Sequence, residues 1–245
     1  MSLAQKFFEY FSGSTLAHGR TVLPGNVQAN GKQAANSKII REPLTLEIVE
    51  KHLAGELGVG SIPIDETNQC VFGALDIDDY NLDLVQLKKK ITRLDLPLVT
   101  CRSKSGGAHC YLFMKEKISA AEMRDRLAEF SSTLGFGNCE IFPKQVEVKT
   151  ERGDVGNFIN LPYFNAEYPT RYCLKEEGDA YTFEEFIELV EKSRLSAKDL
   201  KNLKINEEVD VLPGGPPCLQ KLTEFGIPEG GRNTTLLNVG PVSYT

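Results

Sequence analysis

Between residues 71 and 142 the hydrophobic period switches repeatedly between strand-like and helix-like spacing, and that succession restricts the fold more than any other feature. Residues 71–78 (VFGALDID) form an apolar run that ends in acid, the pattern of a buried strand. Asn81 or Asp83 can then cap a helix, because Leu84, Leu87, Ile91 and Leu94 recur at helical spacing. Pro97 opens a second strand, PLVTCR, which runs to Arg102. The turn SKSGGA leads into a third strand, HCYLFM. Ser119 and Glu122 are spaced as a capping box, and Met123, Leu127, Phe130 and Leu134 make the buried stripe of a second helix. Gly135 stops that helix, and a fourth strand, CEIF, follows.

The order β-α-β-β-α-β predicts an α+β protein with a split β-α-β, ferredoxin-like or RRM-like centre. In that sheet the strands lie in the order 4-1-3-2. The end of strand one therefore sits beside the starts of strands three and four. Asp76 and Asp78 end the first strand, His109 starts the third and Glu140 starts the fourth, so all four are expected at one sheet edge. Alternation places Asp76 and Asp78 on one face with His109, Tyr111, Phe113, Glu140 and Phe142. Leu75, Ile77, Cys110, Leu112 and Ile141 turn to the helices, which leaves the acids and the histidine on an open face.

Three carboxylates in one small area repel unless cations hold them. Oxygen-only ligation suits Mg²⁺ or Mn²⁺. Two such ions about 4 Å apart stabilise both oxygens of an in-line phosphoryl displacement. The turn Ser103–Gly107 can form an anion nest: its two glycines free backbone N–H groups, and Lys104 adds charge. Lys144, four residues beyond Glu140, is in reach of the same negative ligand. Metal-binding acids beside a phosphate nest describe a nucleoside triphosphate site.

The rest of the chain narrows the reading. Residues 1–44 are mixed: Lys6 to Phe11 is a short helical stretch and residues 12–37 are polar. Thr45 to Ala54 reads as a helix capped by Thr45 and stopped by Gly55. After the centre come GNFINLPYF, a helix from Thr182 to Lys192 with a Thr182–Glu185 capping box, and a further helix at 196–203. LPGGPP at 212–217 is a linker, and the tail beyond it reads as the truncated start of a further region. The expected layout is an N-terminal α/β module or arm at 1–70, a catalytic palm with its following helices at 71–205, and a linker and tail at 206–245.

Whole-chain charge is −6, so any nucleic-acid surface has to be a local basic patch. Arg20, Lys32, Lys38 and Arg41 are the best-placed candidates. The six cysteines contain no C-x-x-C pair, which argues against a zinc ribbon and for reduced, buried thiols. No apolar run approaches a membrane span, and no secretory leader is visible. The absence of G-x-x-x-x-G-K-[ST] excludes a P-loop motor within this sequence. Asp79 reads as a turn or cap residue, His52 as a helix-face residue and Lys88–Lys90 as a solvated face, while Tyr111 and Phe113 either stack bases or fill the sheet.

The motifs LDIDD at 75–79, SKSGGAH at 103–109 and CEIFPKQ at 139–145 resemble those of the archaeo-eukaryotic primase superfamily. The likeness is greatest to the primase-polymerases of phages, plasmids and other mobile elements. It covers roughly residues 45–175. The resemblance implies an archaeo-eukaryotic primase fold, with Asp76, Asp78 and Glu140 as ligands of two Mg²⁺ or Mn²⁺ ions. It further implies that Ser105 and His109 contact the nucleotide phosphates, with Ser103, Lys104 and Lys144 beside them, and that Asn160 and Arg171 are binding positions. The implied activity is template-directed nucleotidyl transfer from NTP or dNTP on a single-stranded DNA template. The implied setting is the cytoplasm of a bacterial or phage-infected cell, with a helicase domain beyond the C-terminus. Two departures stand out: the third acid is glutamate where aspartate is common, and the cysteine cluster of a zinc module is lacking. Two rival readings compete. One is a metal-dependent nuclease using the Glu147-x-Lys149 pair; the other is a non-catalytic module that holds single-stranded nucleic acid.

Overall fold

A computed structural model describes residues 1–22, 36–79 and 81–205. In chain order the first elements are α1 (Leu3–Tyr10), β1 (His18–Val22), β2 (Asn36–Ile40), α2 (Leu46–Leu53) and β3 (Gly58–Ser61). The centre follows as β4 (Gln69–Ile77), α3 (Leu84–Arg93), β5 (Val99–Arg102), β6 (Ala108–Ser119), α4 (Ala120–Thr133) and β7 (Glu140–Phe142). A short 3-10 turn at Thr150–Arg152, β8 (Ile159–Asn160), α5 (Phe183–Ser193) and α6 (Ala197–Asn202) complete the described chain. Residues Met1–Lys204 make one compact unit. The linker and tail expected at 206–245, and Lys32, lie outside the described residues.

The central order is β-α-β-β-α-β, and its sheet runs β5-β6-β4-β7 with every neighbour antiparallel, as the periodicity predicts. Local chemistry sets the boundaries. Asp83, not Asn81, caps α3: its carboxylate accepts the Val85 and Gln86 N–H groups, each at 3.0 Å. Asp79 accepts the Asn81 N–H and shapes the preceding turn. Ser119 caps α4 through the Glu122 N–H, but the Glu122 carboxylate does not return the bond. The Thr182–Glu185 box on α5 is complete.

One face of this sheet packs on α3 and α4. Leu75, Ile77, Cys110, Leu112 and Met114 are buried, and so are Leu87, Ile91, Leu94, Met123, Leu127, Phe130 and Leu134. A side chain at Gly73 would press on Met123 and Leu127 at 2.7–2.8 Å, so glycine there lets α4 lie close on β4. Lys90 belongs to this packed side and is only 4% exposed, against the expectation of a solvated lysine run; a long methylene stem makes such burial tolerable.

The other face is not open. Phe72, Ala74, Tyr111, Phe113 and Phe142 form one buried core with Phe7, Phe11, Val49, Val59, Leu161, Tyr163 and Phe186. The Phe11 ring meets Phe72, Tyr111 and Phe113 edge-on, each at 5.2 Å between centroids. Truncating such a ring to alanine typically costs about 3–5 kcal/mol. The aromatic residues of this face therefore fill a core and are closed to bases, which removes the basis for an RNA-recognition-like binding sheet.

The covering layer contains a second sheet, β2-β1-β3-β8, that periodicity does not announce. Its edge strand NSKII and the neighbouring HGRTV mix polar and apolar residues. Its last strand comes from beyond the centre: Gly60 pairs with Asn160 and Ser61 with Ile159. Phe158 lies across Gly19 and Gly60, where any β-carbon would collide with its ring. His52, read from sequence as a helix-face residue, is fully buried on α2; its Nδ1 accepts the Val59 N–H and its Nε2–H donates to the Pro162 carbonyl. Beyond β5, the Arg102 and Leu174 N–H groups bond to the Tyr172 and Thr100 carbonyls, so residues 172–174 cover that edge of the central sheet. Cys70, Cys101, Cys110 and Cys173 are buried free thiols; burial pushes Cys70 and Cys110 up to about 12.

Candidate active site

The acidic end of β4 reaches solvent. Asp76 stands in register with His109 on β6 and with Glu140 on β7, so the three candidate residues lie in line across three adjacent strands. His109 Nε2 is 3.4 Å from Asp76 Oδ1, and the histidine side chain is only 10% exposed. Asp78, one step past the strand, is exposed and accepts the Ser105 hydroxyl at 3.0 Å. Ser105 in turn lies 3.1 Å from the buried Ser103 hydroxyl. Glu140, whose side chain is 60% exposed, pairs with Lys144 at 2.7 Å. The Lys144 ammonium also sits over the Phe142 ring, so it answers this acid instead of standing apart from it.

The Ser103–Gly107 turn is seated against β4. The Ser103 N–H bonds to the Gly107 carbonyl at 2.8 Å, and the Gly106 N–H bonds back to Ser103. Gly106 has φ +98°, which a side chain would strain, and a β-carbon on Gly107 would collide with the Ile77 carbonyl. Both glycines thus have a mechanical reason, and together they bring the turn beside Asp78. Among the described residues, no acceptor takes the N–H groups of Lys104, Ser105 or Gly107. Free N–H groups on a glycine turn are able to bond to an anion.

Arg171 supplies the strongest electrostatic signal. It is 4% exposed, has no carboxylate partner among the described residues, and donates only to the Leu161 carbonyl, at 3.4 Å. Burial pushes its pKa below the ordinary arginine range. Lys104 is pushed down as well, by shielding from water and then by the positive charge of Arg171. A buried cation without an acid partner, lowering the pKa of the lysine beside it, makes a site suited to a polyanion. Arg102, which sequence reasoning passed over, donates to the Thr170 carbonyl and fixes the chain just before Arg171.

Asn160 lies behind His109. Its side-chain oxygen accepts from Thr21 at 2.8 Å, while its carbonyl accepts from the Tyr111 hydroxyl at 3.1 Å. Tyr111 also lies 3.0 Å from His109 Nδ1. Sequence reasoning gave this tyrosine a stacking or filling role and missed its hydroxyl. The only signal was its spacing, two residues from His109 on one strand.

Asp76, Asp78, Ser103, Ser105, His109, Glu140 and Lys144 therefore gather through direct contacts or strand register, Lys104 and Arg171 form the cationic flank, and Asn160 joins through Tyr111. Among the described residues, no group of three or more His, Cys, Asp or Glu side chains is close enough together to hold a metal ion. Each acid instead has one polar neighbour: His109 for Asp76, Ser105 for Asp78, Lys144 for Glu140. Glu147 and Lys149 pair with each other at 3.8 Å on a segment outside any strand, apart from the nuclease arrangement that the E-x-K pattern suggests.

The architecture is that of an α+β protein whose antiparallel palm carries an acidic end, a glycine turn and a cationic flank. The family described as "TOTE conflict system, Archaeo-Eukaryotic Primase domain" matches residues 20–203, and the chain belongs to that family. Its superfamily is the one that the motifs indicate, and primase- and polymerase-type nucleotidyl transfer is its activity at family level. Among solved structures, the archaeo-eukaryotic primase domain of the cyanophage S-2L primase-polymerase is similar to it, with a TM-score of 0.42 and 12% identity. That match covers 77% of this chain and 96% of the other, a likeness too distant to carry an argument about the site. No curated protein matches the chain. No helix among the described residues is long and apolar enough to cross a membrane.

Proposed function

We propose that this chain catalyses template-directed nucleotidyl transfer from nucleoside triphosphates, NTP or dNTP, on single-stranded DNA. The observation that carries the reading is the register of Asp76 with His109 and Glu140, next to a glycine turn flanked by Lys104 and the buried, unpaired Arg171. Acids alone would repel a nucleotide, and cations alone would bind any anion. Side by side they match a triphosphate accompanied by divalent metal.

The donor set fits Mg²⁺ or Mn²⁺, because Asp76, Asp78 and Glu140 offer only carboxylate oxygens and all three reach solvent. Those residues would hold two ions, which when bound supply charge neutralisation at the reacting phosphate. Ligation requires each acid to exchange its present neighbour, and the freed Lys144 and Ser105 are then available to phosphate oxygens. The chain itself binds and orients the triphosphate through Lys104, Arg171, His109 and the free N–H groups of the turn. The DNA template would be held largely through its backbone, with affinity that falls as salt rises. Arg20 and Lys38, exposed and directly opposite each other on β1 and β2, are the candidate contacts. A helicase partner beyond the C-terminus and a cytoplasmic setting belong to the same proposal.

The test is nucleotide incorporation on single-stranded DNA, with and without primer, with NTPs and dNTPs supplied separately in Mg²⁺ or Mn²⁺. Metal-dependent products that fall at least about 100-fold in the folded D76A/D78A double variant are the expected result. DNA degradation without nucleotide, lost on Glu147→Ala, would instead establish the nuclease. DNA binding that survives chelation without any turnover would leave a binding module.

A further inference from the structure

Tyr111 and His109 lie two apart on β6, so their side chains leave the same face of the strand. The tyrosine is fully buried and its hydroxyl has two neighbours, the Asn160 carbonyl at 3.1 Å and His109 Nδ1 at 3.0 Å. A carbonyl oxygen can only accept, and an unanswered buried carbonyl is costly. The phenol proton therefore goes to Asn160, and a phenol lone pair faces the imidazole. Two lone pairs cannot bond, so Nδ1 carries the ring proton. The other nitrogen, Nε2, faces Asp76 at 3.4 Å, longer than a charge-assisted hydrogen bond, which agrees with an Nε2 that carries no proton. Burial pushes the Tyr111 hydroxyl well above its ordinary pKa, so it stays protonated and keeps its donor role.

We infer that Tyr111 is a positioning residue: its hydroxyl fixes His109 as the Nδ1–H tautomer, directs Nε2 to the acidic edge, and ties that setting to β8 of the covering sheet. The ring contact supports the geometry, since the two planes stand at 87° with centroids 5.9 Å apart, which leaves the imidazole little freedom to turn over. The chain Asp76–His109–Tyr111–Asn160–Thr21 then joins the catalytic edge to β1 through hydrogen bonds or close polar contacts. The tautomer claim stands on geometry alone; its kinetic consequence rests on the nucleotidyl-transfer reading.

The chain has three histidines, so two-bond ¹H–¹⁵N spectra of histidine-labelled protein at neutral or mildly alkaline pH resolve each ring, with His109→Ala to assign the site. His52 provides an internal contrast, because the Val59 N–H donates to its Nδ1 and it must be the Nε2–H form. The expected spectrum has His109 as Nδ1–H and His52 as Nε2–H. Tyr111→Phe removes one oxygen and should move His109 toward the other tautomer while His52 stays in place. Tyr163→Phe, which deletes another buried hydroxyl bond, to the Tyr181 carbonyl, should leave His109 unmoved. An Nε2–H signal for His109 in the parent would overturn the proposal. So would an unmoved signal in Tyr111→Phe, or the same shift in Tyr163→Phe. In the incorporation assay, Tyr111→Phe should lose about tenfold in kcat/KM, as orienting partners typically do, and nothing further on a His109→Ala background. Losses that multiply would mean that Tyr111 does not act through His109. A parent without incorporation would sink the polymerase reading and leave the tautomer result standing.

Discussion

Acidification charges His52 in the unfolded chain well before it does so in the folded one. In the native structure the imidazole is fully buried, stacked near Phe7 and held between the Val59 N–H and the Pro162 carbonyl. Burial, and to a lesser degree the nearby Arg171 charge, push its pKa from 6.5 down to about 4, against the opposing bond to Pro162. Because the folded pKa is the lower one, the unfolded chain takes up the proton first as pH falls. The stabilisation is complete above about pH 6.5 and drains away as pH drops toward about 4. At 1.36 kcal/mol per unit, the full loss is about 3 kcal/mol, of which about 2 kcal/mol is gone by pH 4.5. Urea unfolding at a series of pH values, for the parent and His52→Gln, isolates this contribution from the carboxylates. The variant should be weaker at neutral pH, and its stability should fall less on acidification, by about 2 kcal/mol over that range. Parallel curves for the two proteins would refute the reasoning.

Two further outcomes follow from the site. Gly107→Ala forces a β-carbon into the Ile77 carbonyl, so it should destabilise the fold by about 1–3 kcal/mol and lower nucleotide incorporation by detaching the turn from Asp78; thermal melts and the incorporation assay read both effects. Arg171→Met replaces a buried, unpaired charge with an apolar chain of similar length, so the fold should hold or gain stability while KM for the nucleotide rises about tenfold or more. An unchanged KM in a folded Arg171→Met protein would remove Arg171 from the triphosphate site.

The central sheet was legible because its information is local. Each switch from alternation to helical spacing falls within a few residues, and Asp83, Ser119 and Thr182 announce the helix starts by side-chain chemistry. The meeting of Asp76, His109 and Glu140 then follows from topology and register. The covering sheet was not legible, because β1 and β2 lack alternation and β8 is two residues long; its pairings are set by distant partners. The same lack hid the covered face: apolar residues on both sides of β4 are compatible with an exposed or a buried floor. Tyr111 shows the limit most clearly. A tyrosine in an apolar strand reads alike whether or not its hydroxyl is engaged, and only the arrival of Asn160 decides. Arg171 lies in a polar stretch, TRYC, that gives no sign of burial; the family resemblance marked the position, and the fold shows its charge to be buried.

The late arrival of β8 has a consequence for how the protein comes into being. Pairing Gly60 with Asn160 closes a loop of roughly a hundred residues, an entropic cost on the order of 4 kcal/mol that nothing local offsets. On the ribosome, the acids, the glycine turn and the histidine are all made before the strand against which the histidine is set. Non-local closure of this kind is slow, so the setting of the histidine waits on a slow step of assembly. A nascent or prematurely ended chain that stops short of Asn160 carries every acidic residue of the centre but lacks the carbonyl that anchors Tyr111 behind His109. Competence for chemistry is thus tied to completion of the polypeptide well beyond the motifs themselves.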